Sequence, residues 1–129
     1  EVHDKESIKK GVYLSPANYH VMIEPNRTFA LSTEEDVNYS RPSIDITFES
    51  AGHTYKKSMA GILLSGTNSD GSRGLFSAFK SGAYTIIQDP ANAQFGIMPG
   101  EALTFFKPHL KLKDLEIIEF VNSLVRVNK

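Results

Sequence analysis

The sequence predicts an α/β fold with a doubly wound, mostly parallel sheet flanked by helices. A short apolar run at residues 62–64 is bounded by glycines, which is typical of a parallel strand buried on both faces. A glycine-rich loop and a helical pattern follow it, and a second apolar run occupies residues 83–88. This order of strand, loop, helix and strand is typical of a right-handed crossover between parallel strands.

The loop at residues 65–72 is the predicted functional site. Apolar residues recur at helical spacing over residues 75–79, and Gly82 ends the predicted helix. In open sheets of this kind, ligands bind outside the carboxyl ends of the strands. Asp70 is the one residue of the loop that is charged at neutral pH, so it is the candidate for chemistry.

In the N-terminal third, the sequence pattern predicts short strands, two of them antiparallel, rather than a parallel strand-helix-strand unit. Residues 11–15 predict a short strand that ends at Pro16. Residues 19–23 and 28–32 flank a Pro-Asn turn signal. We therefore expect these two runs to form an antiparallel hairpin.

Three helices are predicted besides the crossover helix. Residues 41–50 alternate like a strand but also fit one helix face, and with Ser40 as N-cap and Pro42 in the first turn we interpret them as a helix. Pro99 opens a short helical segment through Phe106. The last helix is capped by Asp114, and we expect its apolar face to pack on the sheet. That face consists of Leu115, Ile118, Val121 and Val125, widened by Ile117, Phe120 and Leu124.

Composition narrows the class of protein. The 129 residues, 40% of them apolar, suit one domain spanning residues 1–129. A formal net charge of −1 favours neither nucleic acid nor an anionic membrane as partner. The apolar runs are too short for membrane insertion or a signal peptide, and the lack of cysteine fits a cytoplasmic protein.

The acidic cluster at residues 34–36 is interpreted as a solvated loop rather than a metal site. Because the chain begins with Glu1, we expect a fragment, a processed chain or an excised domain.

Several blocks of sequence together resemble one known family. They occur in that family's order and spacing and cover nearly the whole chain, which therefore resembles the catalytic domain of the chemotaxis protein-glutamate methylesterase (CheB) family. The loop form SGTNSDG, with threonine after the first glycine, is closer to the branch in which methylesterase is fused to a receptor methyltransferase. The blocks are GVYLSPANYH, RPSIDITFES, AGILLSGTNSDGSRG, GA at 82–83, IIQDP at 86–90 and MPGEAL at 98–103.

The resemblance implies a Rossmann-like methylesterase fold and a hydrolytic function. The family hydrolyses glutamyl methyl esters on the cytoplasmic helices of chemoreceptors, releases methanol, deamidates glutamines in some members, and needs no cofactor. Its site is similar to a Ser-His-Asp triad. Asp70 falls on the triad aspartate, and Thr67 on the position whose backbone N–H helps to bind the oxyanion.

The departures from the family concern the other two triad members. The family's nucleophilic serine and its histidine lie upstream of the block that begins at Gly11, and neither motif occurs in this chain. The resemblance therefore predicts that the first strands of the sheet are missing and that the chain alone is catalytically incomplete. Either a companion chain supplies the serine and the histidine, or the chain is a degenerate relative. A receiver domain or a methyltransferase domain is a further expected partner in the same protein. Asn68 also replaces a glycine of the family's loop, and FGIMP at 95–99 shifts the usual order.

Each candidate residue also has a structural interpretation. Asp70 before a glycine could be only a helix N-cap or a turn former. His20 is expected to be a structural histidine rather than a base, and His109 a surface loop residue. Ser65, Ser69 and Ser72 are expected to form turns and caps.

Two other functions remain open from the sequence. A glycine-bearing loop before a helix can bind phosphate, so a nucleotide-binding α/β domain is one alternative. Against it, no phosphate-binding signature occurs, and Asp70 would repel a phosphate. A non-catalytic chemotaxis or sensory interaction module that binds receptor helices is the other alternative.

Overall fold

A computed structural model describes residues 1–37 and 40–127. It contains a three-stranded parallel sheet with helices on both faces and a separate two-stranded antiparallel hairpin, which confirms the predicted α/β class. The elements are β1 (His20–Ile23), β2 (Phe29–Ser32), α1 (Ile44–Tyr55), a 3₁₀ turn (Lys56–Ser58), β3 (Ala60–Leu63), α2 (Ser72–Lys80), β4 (Tyr84–Gln88), α3 (Ile97–Phe105), β5 (Leu110–Leu112) and α4 (Asp114–Val127).

The parallel sheet has the strand order β3-β4-β5. Ile62 of β3 is in register with Ile86 of β4, which is in register with Leu110 of β5. Helix α2 connects β3 to β4, as the strand-helix-strand pattern predicts. Helix α3 connects β4 to β5, a strand that the sequence patterns did not predict. None of the helices in the described ranges is both long and apolar enough to cross a membrane.

One face of the sheet carries the main core. Leu63 and Ile87 are register partners and pack with Leu75 of α2 and with Met98 and Ala102 of α3. Phe48 of α1 packs against the same cluster. Burial of each large apolar side chain contributes about 1.5–3 kcal/mol, so this face fixes the three helices on the sheet.

The opposite face is covered by α4 alone among the described helices. Tyr84 of β4 stacks on Phe120 of α4 with ring centroids 6.0 Å apart and planes 10° apart, and Ile86 beside it is fully buried. The predicted last helix is confirmed, but the prediction that its whole apolar face packs on the sheet is wrong. Ile117 is buried, whereas Leu115, Ile118, Val121 and Val125 are exposed. The described sheet is three strands wide, so no described element on this face covers those side chains.

The hairpin prediction is confirmed. β1 and β2 pair antiparallel with His20 opposite Ser32 and Ile23 opposite Phe29. Helix α1 lies against this hairpin, where Thr47 Oγ1 donates to Val21 O at 2.8 Å.

The predicted strand at residues 11–15 is wrong. This segment is irregular: Val2 N donates to Leu14 O at 2.9 Å, and the ring of Tyr13 packs on that of Phe29 with centroids 4.8 Å apart. Val12 and Leu14 are exposed, and none of the described strands pairs with the segment. Apolar residues alone do not make a strand, because the backbone groups also need a partner.

Residues 41–50 do form a helix, but it begins later than predicted. The N-cap of α1 is Ser43, not Ser40, and Pro42 lies before the helix rather than in its first turn. Ser40 instead pairs with Val37 in an isolated bridge. Helix α1 begins at Ile44 because Asp70, which is distant in the chain, accepts hydrogen bonds from Ile44 N and Asp45 N.

Candidate active site

The loop after β3 is anchored to the loop before α3. Gly66 N donates to Phe95 O at 2.9 Å, and Met98 N donates to Gly66 O at 3.1 Å. A Cβ atom at Gly66 would lie 2.8 Å from Met98 Cγ, so a side chain does not fit there. The two loops therefore form one paired unit at the carboxyl ends of β3 and β4.

Gln88 connects this unit to the end of the sheet. Its Oε1 accepts a hydrogen bond from Ser65 N at 3.0 Å, and its Nε2 donates to Asn92 Oδ1 at 3.1 Å. Asn92 Oδ1 also accepts from Asp114 N at 2.8 Å, so the start of α4 joins the network. Gln88 was not among the predicted site residues. An amide at the end of an apolar strand is nevertheless a signal in the sequence, because a buried amide needs hydrogen-bond partners.

Asp70 lies in this loop as a buried carboxylate, only 2% exposed. Its Oδ1 accepts hydrogen bonds from Ser43 Oγ at 2.8 Å and from Asp45 N at 3.3 Å. Its Oδ2 accepts from Ile44 N at 2.5 Å. Asp70 therefore caps the first turn of α1, where a negative charge also interacts favourably with the helix dipole.

Asp45, in the first turn of α1, caps the start of α2 in the same way. Its Oδ1 accepts hydrogen bonds from Gly71 N at 2.9 Å and from Gly74 N at 2.7 Å, at the start of α2. Asp70, which precedes α2, thus accepts from backbone N–H groups of α1. Asp45, which belongs to α1, accepts from backbone N–H groups at the start of α2. The structural interpretation of Asp70 was a cap of the helix that follows it, but the helix that it caps starts 26 residues earlier in the chain. Asp45 was not singled out, because no local pattern connects it to residues 71–74.

The same loop holds Thr67 and Asn68. Asn68 Oδ1 accepts from Asp70 N at 3.0 Å and Asn68 Nδ2 donates to Ser40 Oγ at 2.9 Å. The asparagine that replaces the family's glycine therefore stabilises the turn. Thr67 is exposed, and no residue in the described ranges accepts a hydrogen bond from its backbone N–H.

His20 is buried beneath the loop with both ring nitrogens engaged. Its Nδ1 accepts from Ser43 N at 3.1 Å, and its Nε2 lies 2.9 Å from Glu35 O. Because Nδ1 accepts a hydrogen bond from the Ser43 N–H, Nε2 carries the ring hydrogen and donates it to the Glu35 carbonyl. A ring that is hydrogen-bonded to the backbone at both nitrogens has the environment of a structural histidine.

We predict that His20→Ala lowers the free energy of unfolding by about 2 kcal/mol or more, since it leaves Ser43 N and Glu35 O without partners. Urea unfolding measures this loss, and His53→Ala, at an exposed site on α1, is the matched control. Equal stability of the two variants would show that the hydrogen bonds of His20 do not stabilise the fold.

The remaining hydroxyl and imidazole groups do not form a nucleophile–base pair at this end of the sheet. His109 is exposed, but its Nδ1 lies 3.0 Å from Oγ1 of Thr85, a fully buried residue near the amino end of β4. Ser65 Oγ accepts from Phe95 N at 2.8 Å and is a loop-former. Ser72 is the first residue of α2 and is buried. Among the described residues, the site offers a fixed carboxylate and a backbone donor, without a paired serine and histidine.

The phosphate-binding alternative meets an electrostatic obstacle. The N-terminus of α2, where a phosphate would bind, already holds the carboxylate of Asp45. A second anion there would be repelled by both Asp45 and Asp70. No group of three or more His, Cys, Asp or Glu residues within residues 1–37 and 40–127 is arranged to hold a metal ion.

Comparison with known proteins identifies the family. The model of the CheB methylesterase family matches residues 1–118. The chain belongs to the CheB methylesterase family. It is 45% identical over 104 residues to a putative protein-glutamate methylesterase/protein-glutamine glutaminase of Leptospira interrogans, a match that covers 80% of this chain and 54% of that protein. A protein-glutamate methylesterase/protein-glutamine glutaminase of Nitrosomonas europaea is 36% identical over 108 residues, covering 81% of this chain and 30% of the relative.

A solved structure of the same family has the same fold. The CheB methylesterase catalytic domain of Thermotoga maritima superposes with a TM-score of 0.88 at 26% identity, and the match covers 96% of this chain and 68% of that one. This chain thus spans about half the length of the Leptospira relative and two thirds of the Thermotoga domain. The paired loops and Asp70 therefore lie in a fold that the Thermotoga catalytic domain shares.

Proposed function

We propose that this chain is part of a protein-glutamate methylesterase domain that hydrolyses glutamyl methyl esters on the cytoplasmic helices of chemoreceptors. The observation that carries the proposal is the buried carboxylate of Asp70, which accepts hydrogen bonds from Ser43 Oγ, Ile44 N and Asp45 N at the carboxyl end of the sheet. The relatives' names add glutamine hydrolysis, which uses the same attack on a side-chain carbonyl. Residues 1–129 would form one portion of that domain.

Asp70 would serve as the orienting carboxylate of a Ser-His-Asp triad. In such a triad the serine attacks the ester carbonyl, the histidine takes its proton and returns it to the departing methanol, and the aspartate fixes the histidine and stabilises its charged form. A carboxylate already fixed by Ser43, Ile44 and Asp45 needs no reorganisation when the histidine becomes charged. The serine and histidine would come from the portion of the domain that relatives carry outside the match, in the same protein or in a companion chain.

Thr67 would bind the oxyanion through its backbone N–H. The donor lies between Gly66, which is pinned to the loop before α3, and Asn68, which is pinned to Ser40 and Asp70. Anchors on both sides keep a donor pre-positioned for the charge that develops on the carbonyl oxygen. Since the role belongs to the main chain, a threonine is as suitable as another side chain.

We predict that Thr67→Pro lowers kcat about 10²–10³-fold, because proline has no N–H to donate to the oxyanion. Thr67→Ala, the matched control, keeps the N–H and should stay within a few-fold of the parent. Methanol release gives kcat, and a thermal melt confirms that both variants fold. Equal rates in the two variants would remove Thr67 from the oxyanion site.

The proposed partners are methylated chemoreceptor helices and a further domain of the same protein, which is a methyltransferase domain, as the SGTNSDG loop favours, or a receiver domain. The deciding experiment incubates the full-length product of the encoding gene with receptor fragments that carry glutamyl methyl esters. Release of methanol with formation of glutamate supports the esterase. Binding of the fragments without release would instead support a non-catalytic module.

A further inference from the structure

A pocket of about 320 Å³ lies at the amino ends of β4 and β5, the end of the sheet opposite the candidate active site. His109 comes directly before β5, and its Nδ1 accepts a hydrogen bond from N of Thr85 near the amino end of β4. This volume is at the lower end of the range of about 300–1,000 Å³ that small-molecule sites occupy. We call it the basic pocket, and its lining residues are Leu103, Phe106, Lys107, Pro108, His109 and Lys111.

The floor of the basic pocket is apolar and is built on the core. Leu103 and Phe106, at the end of α3, pack against the main core cluster. The ring of Phe106 is held by Phe76 and Phe79 of α2, with ring centroids 5.4 Å and 4.9 Å away. A floor fixed in this way is already formed before a ligand arrives, so little ordering has to accompany binding.

His109 gives the pocket an oriented hydrogen-bond donor. A backbone N–H can only donate, so the bond of 3.0 Å from Thr85 N makes Nδ1 the acceptor and leaves the ring hydrogen on Nε2. The ring stacks on that of Tyr84, with centroids 4.5 Å apart and planes 19° apart. Within residues 1–37 and 40–127 no group accepts a hydrogen bond from this Nε2, and the residue is exposed. The donor is therefore available to a ligand.

Two lysines make the rim of the pocket positive. Lys107 and Lys111 are exposed, and none of the lining residues is acidic. In the described part of the chain, neither ammonium group forms a salt bridge with a carboxylate. The chain as a whole has a formal net charge of −1, so this local excess of positive charge is a departure from the average surface. Charge complementarity therefore favours an anion, and hydrogen bonds to a carboxylate from such donors are the strong ones.

We propose that the basic pocket binds a small organic anion with an apolar body, an aryl or short alkyl carboxylate. The apolar body packs on Leu103 and Phe106. The carboxylate lies at the rim, where Lys107 and Lys111 provide the charge and Nε2 of His109 donates a hydrogen bond. An inorganic anion would leave the apolar floor unused, and a neutral aromatic compound would leave the positive rim unused.

The length of α3 separates this pocket from the candidate active site. At the start of the helix, Met98 N donates to Gly66 O in the loop after β3, and Phe106 caps the other end beside the pocket. Nine helical residues span roughly 13 Å at about 1.5 Å per residue. A ligand in the basic pocket thus leaves the loop at residues 65–72 open, so the pocket is a second site and not an extension of the first.

Fluorine NMR of the ligand para-fluorophenylacetate, titrated with the full-length gene product, tests the proposal. We expect saturable binding with a dissociation constant on the order of millimolar, as is usual for a ligand of about ten non-hydrogen atoms. Two analogues separate the contributions: acetate, measured by competition, has the charge without the ring, and para-fluorophenylacetamide has the ring without the charge. Each should bind at least tenfold more weakly than para-fluorophenylacetate.

Lysine variants locate the binding site. The double variant Lys107→Gln with Lys111→Gln should bind the probe at least tenfold more weakly, because it removes both charges from the rim. Lys113→Gln is the matched control, since this exposed lysine follows β5 directly but does not line the pocket. Its dissociation constant should stay within twofold of the parent. Thermal melts confirm that all three positions tolerate the change.

Three results would overturn the inference: no saturable binding by the full-length product, equal binding of the acid and its amide, or equal binding by the parent and the double variant. The first is also the result expected if another part of the protein or a second copy fills the pocket. Displacement of the probe by tetraglutamate at a lower concentration would make an acidic protein segment the ligand and the small-molecule assignment wrong. None of these measurements involves ester hydrolysis, so failure here leaves the proposed function standing.

Discussion

Asp70→Asn is expected to lower the rate of methyl-ester hydrolysis by the full-length protein by about a thousandfold or more. An asparagine cannot hold the catalytic histidine in the required tautomer or stabilise its charged form. Methanol release under saturating substrate, normalised to the folded fraction, measures the effect.

The structure adds a stability effect to this variant. Asp70 uses both oxygens, Oδ1 for Ser43 Oγ and Oδ2 for Ile44 N, whereas asparagine offers one acceptor oxygen and an NH₂ group. Either Ser43 Oγ or Ile44 N would therefore face the NH₂ group of the asparagine, which is also a donor. The lost hydrogen bond lowers the free energy of unfolding by about 1–3 kcal/mol. Urea unfolding should detect this loss beside the loss of activity.

Ser43→Ala separates the two effects. It removes one hydrogen bond to Asp70 at a cost of about 1 kcal/mol but leaves the carboxylate in place. Hydrolysis should stay within tenfold of the parent. If Ser43→Ala and Asp70→Asn lose activity to the same extent, Asp70 acts through the fold alone and is not a triad member.

Gly74→Ala is expected to be the most destabilising small substitution in α2, with a loss of about 3 kcal/mol. A Cβ atom at Gly74 would lie 2.5 Å from Asp45 Cα and 2.8 Å from Asp45 C. These are backbone atoms of α1, so the two helices must separate. That separation also breaks the hydrogen bond from Gly74 N to Asp45 Oδ1.

Gly100→Ala in α3 is the matched control. The nearest atom to its Cβ would be Pro90 Cγ at 4.0 Å, so the methyl group fits. Because alanine favours the helix more than glycine does, this variant should gain about 0.5–1 kcal/mol. Urea midpoints measure both changes. A Gly74→Ala protein as stable as the parent would show that α1 and α2 do not approach this closely.

The elements that sequence patterns predicted correctly are those whose signals are local. Strands β3 and β4 are continuous apolar runs bounded by turn residues, and α2 has apolar residues at helical spacing ended by Gly82, which adopts a φ of 109°. The hairpin follows from its Pro-Asn turn. In each case a few neighbouring residues carry the information.

The predictions that were wrong depend on which partner is present. Residues 11–15 have the composition of a short strand, but no strand in the described ranges pairs with them. The apolar face of α4 has the right periodicity, but no described element covers Leu115, Ile118, Val121 and Val125. Ser40 suits an N-cap, yet the cap is Ser43, because the carboxylate of Asp70 binds the backbone donors at residues 44 and 45. Periodicity identifies an apolar face without identifying what covers it.

The sequence alone specified an α/β fold, the loop at residues 65–72 and Asp70 as its single charge, because these features are encoded by adjacent residues. The hydrolytic chemistry was implied only by the family resemblance of blocks spread over nearly the whole chain. The tertiary structure decided the reciprocal capping, in which Asp70 binds backbone N–H groups of α1 and Asp45 binds those at the start of α2. The hydrogen-bonded partners lie 25–29 residues apart in the chain. It also decided which edge of the sheet stays open. Contacts between distant segments form only when packing brings them together, so no local pattern contains them.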